Sequence, residues 1–168
     1  ASPPDKGIYI TVVLRPDLAP AQTQVLTLAA AVAVVKAISK SAGIHSGIKW
    51  PNDIVIGGKK VCGILLEMNS EADRVNYVVI GIGINFSQNA QDFPEEFGYR
   101  AISLKMAAES QNPGRPQVLN KLSLIRSVLR ELDKAYLLVL NDRQEELLDL
   151  WRKYSVTIGK EVRFTLKD

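Results

Sequence analysis

Apolar and β-branched residues run through 8–14 between Gly7 and Arg15-Pro16, a pattern that predicts a strand. Residues 20–41 are so rich in Ala, Leu and Val that they predict a long, largely buried helix, with Pro20 in its first turn and Gly43 just past its end. A short strand is expected over 47–50, where Pro51 stops it because proline has no N–H to give to a ladder. Residues 53–56, Gly57-Gly58 and residues 60–68 read as a hairpin with a glycine turn, and 76–84 as a further apolar strand. Successive strands without intervening helices favour a mixed or antiparallel sheet, so the class is α+β.

Residues 86–99 are polar, with Phe93, Pro94 and Phe97 spaced among them, and long enough to form a functional loop over a site. Ser103 is the expected N-cap of a short helix to Ser110. Apolar residues recur at helical spacing over 118–140 and again over 144–151, so these segments should cover the sheet. The first seven residues are turn-rich with no initiator Met, and 156–168 reads as a strand signal without a partner. Both ends read as cut from something longer.

Composition narrows the class only modestly. The chain has 168 residues, 46% hydrophobic and 23% charged, enough for a sizeable core. Its formal net charge of +3 comes from interspersed basic and acidic residues, with no run that would track a phosphate backbone, so no nucleic acid partner is expected. Cys62 is the lone cysteine and His45 the lone histidine, which removes an intramolecular disulfide and the usual structural zinc sites. The longest apolar stretch, 25–35, ends at Lys36, short of a membrane span, and no basic-then-apolar leader opens the chain. No membrane association and a cytoplasmic location follow as expectations.

Polar side chains at strand ends are the candidates for chemistry. Asn52 and Asp53 follow Pro51, and Lys60 opens the strand across the hairpin, so a carboxylate and an ammonium are able to face one pocket. An Asx turn beside a solvated lysine accounts for the same spacing. Gly81 and Gly83 alternate within a strand and therefore point to one face. Close approach of a ligand, or tight packing of the long helix, explains them equally. Asn85 ends that strand with a donor and an acceptor suited to a planar ring. His45 reads as a linker residue, Cys62 as a small buried hydrophobe, and Trp151 and Tyr154 as core anchors.

Lys49-Trp50-Pro51-Asn52-Asp53, the strand Lys60-Val61-Cys62-Gly63-Ile64-Leu65, then Gly81-Ile82-Gly83-Ile84-Asn85 and Ala101-Ile102-Ser103-Leu104 resemble, in order and spacing, the central domain of biotin–protein ligases. The resemblance extends from Ser2-Pro3 through Leu14-Arg15-Pro16 to Val156, nearly the whole chain. It implies a synthetase-like ligase domain over 1–154 and the start of a small SH3-like barrel over 155–168. It also implies a two-step reaction in which ATP activates biotin as biotinyl-AMP and a lysine of a biotin carboxyl carrier protein takes the biotinyl group. By position, Lys60 would contact carboxylate and phosphate, while Lys49, Asn52 and Asp53 would serve the phosphate end, Asp53 through Mg2+. Gly63, Ile64, Leu65, Gly81 and Gly83 would form the biotin slot, and Asn85 and Ala101 would meet the adenine.

These ligases carry, before the Ser-Pro turn, a glycine- and arginine-rich loop over the adenylate and an earlier strand that holds the biotin ring. This sequence shows neither, so the polypeptide alone is expected to be weak or inactive. Two other readings stay open: a lipoate or octanoate ligase or transferase of the same fold, and a non-catalytic regulator that binds biotinyl-AMP. Pairing through the sheet as a homodimer is an expectation by analogy.

Overall fold

The computed structural model describes residues 4–71, 73–114 and 117–161. The core is a long apolar helix held between a sheet and two further helices. Five strands, β1 (Gly7–Leu14), β2 (Gly47–Lys49), β3 (Asp53–Ile56), β4 (Lys59–Glu71) and β5 (Arg74–Asn85), form one sheet in the order β1-β5-β4-β3-β2. Among the described residues every neighbouring pair is antiparallel, with parallel pairing confined to isolated bridges at Ile48–Ser155 and Lys60–Ala101.

Alternation along the strands separates the two faces. Ile8, Ile54, Cys62, Ile64, Ile80, Ile82 and Ile84 are buried on one face, in the core they share with helix α1 (Val25–Ala42). Helix α1 is buried almost all round, as a helix apolar on every side must be. It meets α4 (Lys121–Leu140) and α5 (Gln144–Tyr154) on its far side. Full burial of a side chain such as Leu26 or Ile38 contributes roughly 1.5–3 kcal/mol, so this helix anchors the domain. The segment Pro20–Ala42 is long and apolar enough to cross a membrane, but in this fold it is the core helix.

Most differences from expectation lie at element ends. Residues 20–22 form a 3-10 turn ahead of α1, closed by the Thr23 hydroxyl donating to the Pro20 carbonyl at 2.8 Å. Gly43, at φ 63°, ends the helix in the left-handed conformation. The β4–β5 hairpin is longer than its apolar run because polar side chains continue it, Asn76 Nδ2 donating to Asn69 Oδ1 at 2.8 Å. Helix α4 starts at Lys121, not near Val118, since Asn120 caps it by accepting from the Ser123 N–H at 2.9 Å.

Residues 156–161 turn and bend where a strand was expected, and residues 162–168 and the Ser2-Pro3 entry lie outside the described residues. The exit from α5 presses on β2: Val156 N–H donates to the Ile48 carbonyl at 2.9 Å, and Val156 leaves no room for a side chain at Gly47.

Candidate active site

The face of the sheet away from α1 carries the candidate residues. One rung crosses all five strands: Lys49 opposes Asp53, Asp53 opposes Gly63, Gly63 opposes Gly83, and Gly83 opposes Tyr9. Two glycines at its centre leave a shallow floor, walled by Lys49 and Asp53 at one end and Tyr9 at the other. A β-carbon on Gly81 or Gly83 would meet nothing of this chain closer than 3.9 or 3.7 Å respectively. Packing of α1 therefore does not require these glycines, because the helix lies on the opposite face.

Lys60 reaches this floor through a β-bulge. Val55 opposes Lys60 while Ile54 opposes Cys62, so Val61 is an extra residue in β4. Strict alternation would have sent Lys60 to the helix side with Cys62 and Ile64. The bulge turns it to the open face, where Nζ lies 2.5 Å from Asp53 Oδ1. A β-carbon at Gly63 would stand 3.1 Å from Lys60 Cε and Nζ, so the glycine makes the bed on which the lysine lies.

The backbone of Lys60, displaced from the ladder, pairs elsewhere. Its N–H donates to the Arg100 carbonyl at 2.7 Å, and its carbonyl accepts from the Ile102 N–H at 3.0 Å. The loop after β5 is thereby stitched to the lysine. Asn85 reinforces the stitch, its amide donating to the Lys60 and Ile102 carbonyls at 3.3 and 3.2 Å. Ser103 clamps the loop's end, accepting from the Met106 N–H at 3.1 Å and donating to the Gln88 carbonyl at 2.6 Å. As expected, Ser103 is the N-cap of α3 (Leu104–Gln111). The loop's start is held by the Lys6–Asp92 ion pair at 2.6 Å, whose hydrogen bonds keep the Asp92 carboxyl below its ordinary range.

Two adjoining hollows open over the rung and share Tyr9, Asp53, Lys60, Gly63 and Gly83. The first, about 660 Å3, extends under the loop past Asn85, Phe93, Pro94, Phe97, Arg100 and Ala101. Within it, α2 (Glu95–Gly98) brings Phe97 to the wall. The second, about 530 Å3, extends along Thr11, Asn52, Leu65 and Gly81. Both volumes suit a ligand of small-molecule size. Their electrostatics differ. Among the described residues, Lys49, Lys60 and Arg100 against Asp53 line the first, whereas Lys60 and Asp53 alone carry charge in the second.

The structure thus gathers Lys49, Asp53, Lys60, Gly63, Gly83, Asn85 and Ala101 at one hollow, and Asn52, Leu65 and Gly81 beside it. Ile64 stands apart: its side chain is buried in the core, and only its backbone borders the slot. The Asn52 amide is engaged within the chain, donating to the Ile64 carbonyl at 2.6 Å, so it positions the turn ahead of Asp53. Cys62 is buried, and burial pushes its thiol up against the opposing pull of Lys60, which makes it an inert core residue as expected. Sequence reasoning missed Tyr9 and Arg100 as site residues. Tyr9 was visible as the outward member of the Ile8-Tyr9-Ile10 alternation, while nothing local marked Arg100.

An α+β domain with an open glycine floor, a lysine–carboxylate pair and a loop closing one end defines a site of small-molecule size. Residues 2–85 match the biotin/lipoate A/B protein ligase family, and the chain belongs to it. It is 42% identical over 157 residues to the bifunctional ligase/repressor BirA of Bacillus subtilis, covering 94% of this chain and 46% of that protein. It is 33% identical over 144 residues to the biotin–[acetyl-CoA-carboxylase] ligase of Mycobacterium tuberculosis, covering 84% of this chain and 48% of that one. The chain therefore spans about half the length of the curated relatives it matches. In fold it is similar to the biotin protein ligase of Aquifex aeolicus, with a TM-score of 0.77 at 24% identity over 94% of this chain and 65% of that one.

Proposed function

We propose that the protein to which this chain belongs is a biotin–protein ligase, which activates biotin with ATP to biotinyl-AMP and passes the biotinyl group to a carrier-protein lysine. The observation that carries the reading is the pair of hollows joined at Lys60, one cationic and loop-covered, the other neutral with a glycine floor. An acyl adenylate has that shape: a charged nucleotide part, a neutral ring part and a carboxyl–phosphate junction between them. The name of the Mycobacterium tuberculosis relative, a biotin–[acetyl-CoA-carboxylase] ligase, supports biotin as the acid.

In this reading the uncharged biotin ring lies over Gly63, Gly81 and Gly83 beside Leu65, and its carboxylate points at Lys60. The carboxylate oxygen attacks the α-phosphorus, and the bond to the bridging oxygen breaks, its electron pair leaving with pyrophosphate. Lys60 stabilises the charge that gathers on the phosphoryl oxygens. Adenine lies in the first hollow, where Ala101 packs on the ring and the Asn85 oxygen accepts from it, the Asn85 nitrogen being engaged with the backbone. Lys49 extends along the phosphates.

No three His, Cys, Asp or Glu side chains gather among the described residues. Mg2+ fits this site only as a companion of the nucleotide phosphates, with Asp53 as its carboxylate contact. In the second step the acceptor lysine attacks the acyl carbon and AMP leaves. The acceptor is a biotin carboxyl carrier protein, the reaction belongs to the cytoplasm, residues 1–154 are assigned to the ligase unit and 155–168 to a following SH3-like domain, and a homodimer would pair through an edge of the sheet, which leaves the open face to the ligand.

The test is pyrophosphate exchange into ATP by the full-length protein, expected to depend on biotin. Exchange driven by lipoate or octanoate would point to that ligase chemistry instead. Tight biotin binding without exchange would leave a regulator. No specific observation favours either alternative.

A further inference from the structure

We propose that Arg100 is a phosphate-binding residue of this site, gripping the β- and γ-phosphates of ATP that depart as pyrophosphate; the assignment rests on the adenylate-forming reading above. The first hollow contains three cationic side chains and a single carboxylate among its described lining residues, and that carboxylate, Asp53, lies 2.5 Å from Lys60. Once this pair is set aside, the uncompensated positive charge of the hollow resides on Lys49 and Arg100. A triphosphate brings about four negative charges at neutral pH, more than Lys60 alone balances, because Lys60 already faces a carboxylate.

Geometry places Arg100 where such a group is needed. Its carbonyl accepts from the Lys60 N–H at 2.7 Å, so its backbone is tied to the bulge that aims Lys60. No ion pair with an acid engages the guanidinium among the described residues. It lies instead over the Tyr99 ring, 4.8 Å from the centroid, a contact that engages the face of the ring and uses none of its N–H groups in an ion pair. The planar fork of an arginine suits two phosphate oxygens at once, which lysine does not match. The flanking bonds of the segment, Arg100 and Ala101 N–H to the Phe97 carbonyl at 2.8 and 2.9 Å, are all main-chain. Side-chain truncation therefore leaves the loop's attachment to Lys60 intact.

The experiment compares Arg100→Ala and Arg100→Lys with the parent full-length protein. MgATP and inorganic pyrophosphate binding are measured directly by titration, and transfer to the acceptor is measured from preformed biotinyl-AMP. Arg100→Ala is expected to weaken ATP and pyrophosphate about tenfold, the scale of one charge-assisted contact, with Arg100→Lys between the two. Biotin affinity and transfer from preformed adenylate should stay within about twofold of the parent, since the adenylate lacks both phosphates in question. Unchanged ATP and pyrophosphate affinity in Arg100→Ala would overturn the assignment, as would an equal loss of transfer from the preformed adenylate. If the parent binds ATP through Arg100 but shows no biotin-driven exchange, the arginine assignment stands and the choice of acid substrate falls.

Discussion

Lys60 and Asp53 form a 2.5 Å ion pair on the open face of the sheet although they are not register partners: Val61 bulges out of β4 and turns the lysine over. The pair is half-exposed, so it adds little to stability, on the order of 0–1 kcal/mol. Its value lies in direction, because it holds an ammonium over a floor of glycines, where the proposed reaction brings a carboxylate and a phosphate together.

Replacing Lys60 with Ala is expected to lower biotin-dependent exchange by about a hundredfold or more while thermal unfolding hardly moves. Kinetic assay and calorimetry on the same preparation provide the check. A large drop in unfolding temperature would show that the lysine is structural, and unaltered exchange would remove it from the chemistry.

Gly83→Ala separates a ligand floor from a packing requirement. The new methyl group would meet the Tyr9 ring at an ordinary 3.7 Å, so the fold should tolerate it. Alanine in a strand costs the unfolded chain less entropy than glycine, and stability is expected to hold or rise by about 0.5 kcal/mol. Biotin binding should fall, about tenfold or more, since the methyl group occupies the slot. Isothermal titration beside a denaturant melt gives both numbers; destabilisation with intact binding would reverse the interpretation.

Asn52→Ala removes the 2.6 Å bond to the Ile64 carbonyl and should cost about 1 kcal/mol of stability. Because that bond sets the turn before Asp53, activity is expected to fall more steeply than stability does. Asn52→Asp, which cannot donate the bond when ionised, should behave like the alanine variant. If Asn52→Asp kept both properties at the parent level, the positioning role would be ruled out.

The helix layer makes a separate prediction about acid. Glu131 on α4 is buried among Lys36, Lys40 and Lys134; burial acts to raise its pKa, but hydrogen bonds from Lys40 and Lys134 override this and hold it at about 2. A carboxylate with a depressed folded pKa stabilises fully above its unfolded value and loses that contribution as pH falls through the folded one. Stability should therefore decline between about pH 4.5 and 2, by roughly 1–3 kcal/mol given partial screening at the exposed lysines. Glu131→Gln should flatten this part of the unfolding profile, and an unchanged slope in that variant would assign the acid sensitivity to other carboxylates.

Much of the fold was legible because its signals are local. Alternation in β1 and β5, the apolar helix ending at Gly43, the glycine turn at 57–58 and the Ser103 cap each depend on neighbours a few residues away. The motif residues Lys49, Asn52, Asp53, Gly63, Gly83 and Asn85 were likewise readable by order and spacing. By themselves, however, they fit a solvated lysine and an Asx turn as well as a site.

The tertiary structure decided which face each residue serves. Period-two reading of β4 puts Lys60 with Cys62 in the core, and only pairing with β3 and with the distant Arg100–Ile102 segment shows the bulge that reverses it. The same long-range pairing brings Arg100 to the hollow, buries the Ile64 side chain away from it and engages the Asn52 and Asn85 amides with backbone carbonyls. Sequence thus determined the elements and the chemical groups, since propensity, capping and alternation act over a few residues. Their assembly into one charged and one neutral hollow depended on contacts between residues far apart in the chain, which no local pattern encodes.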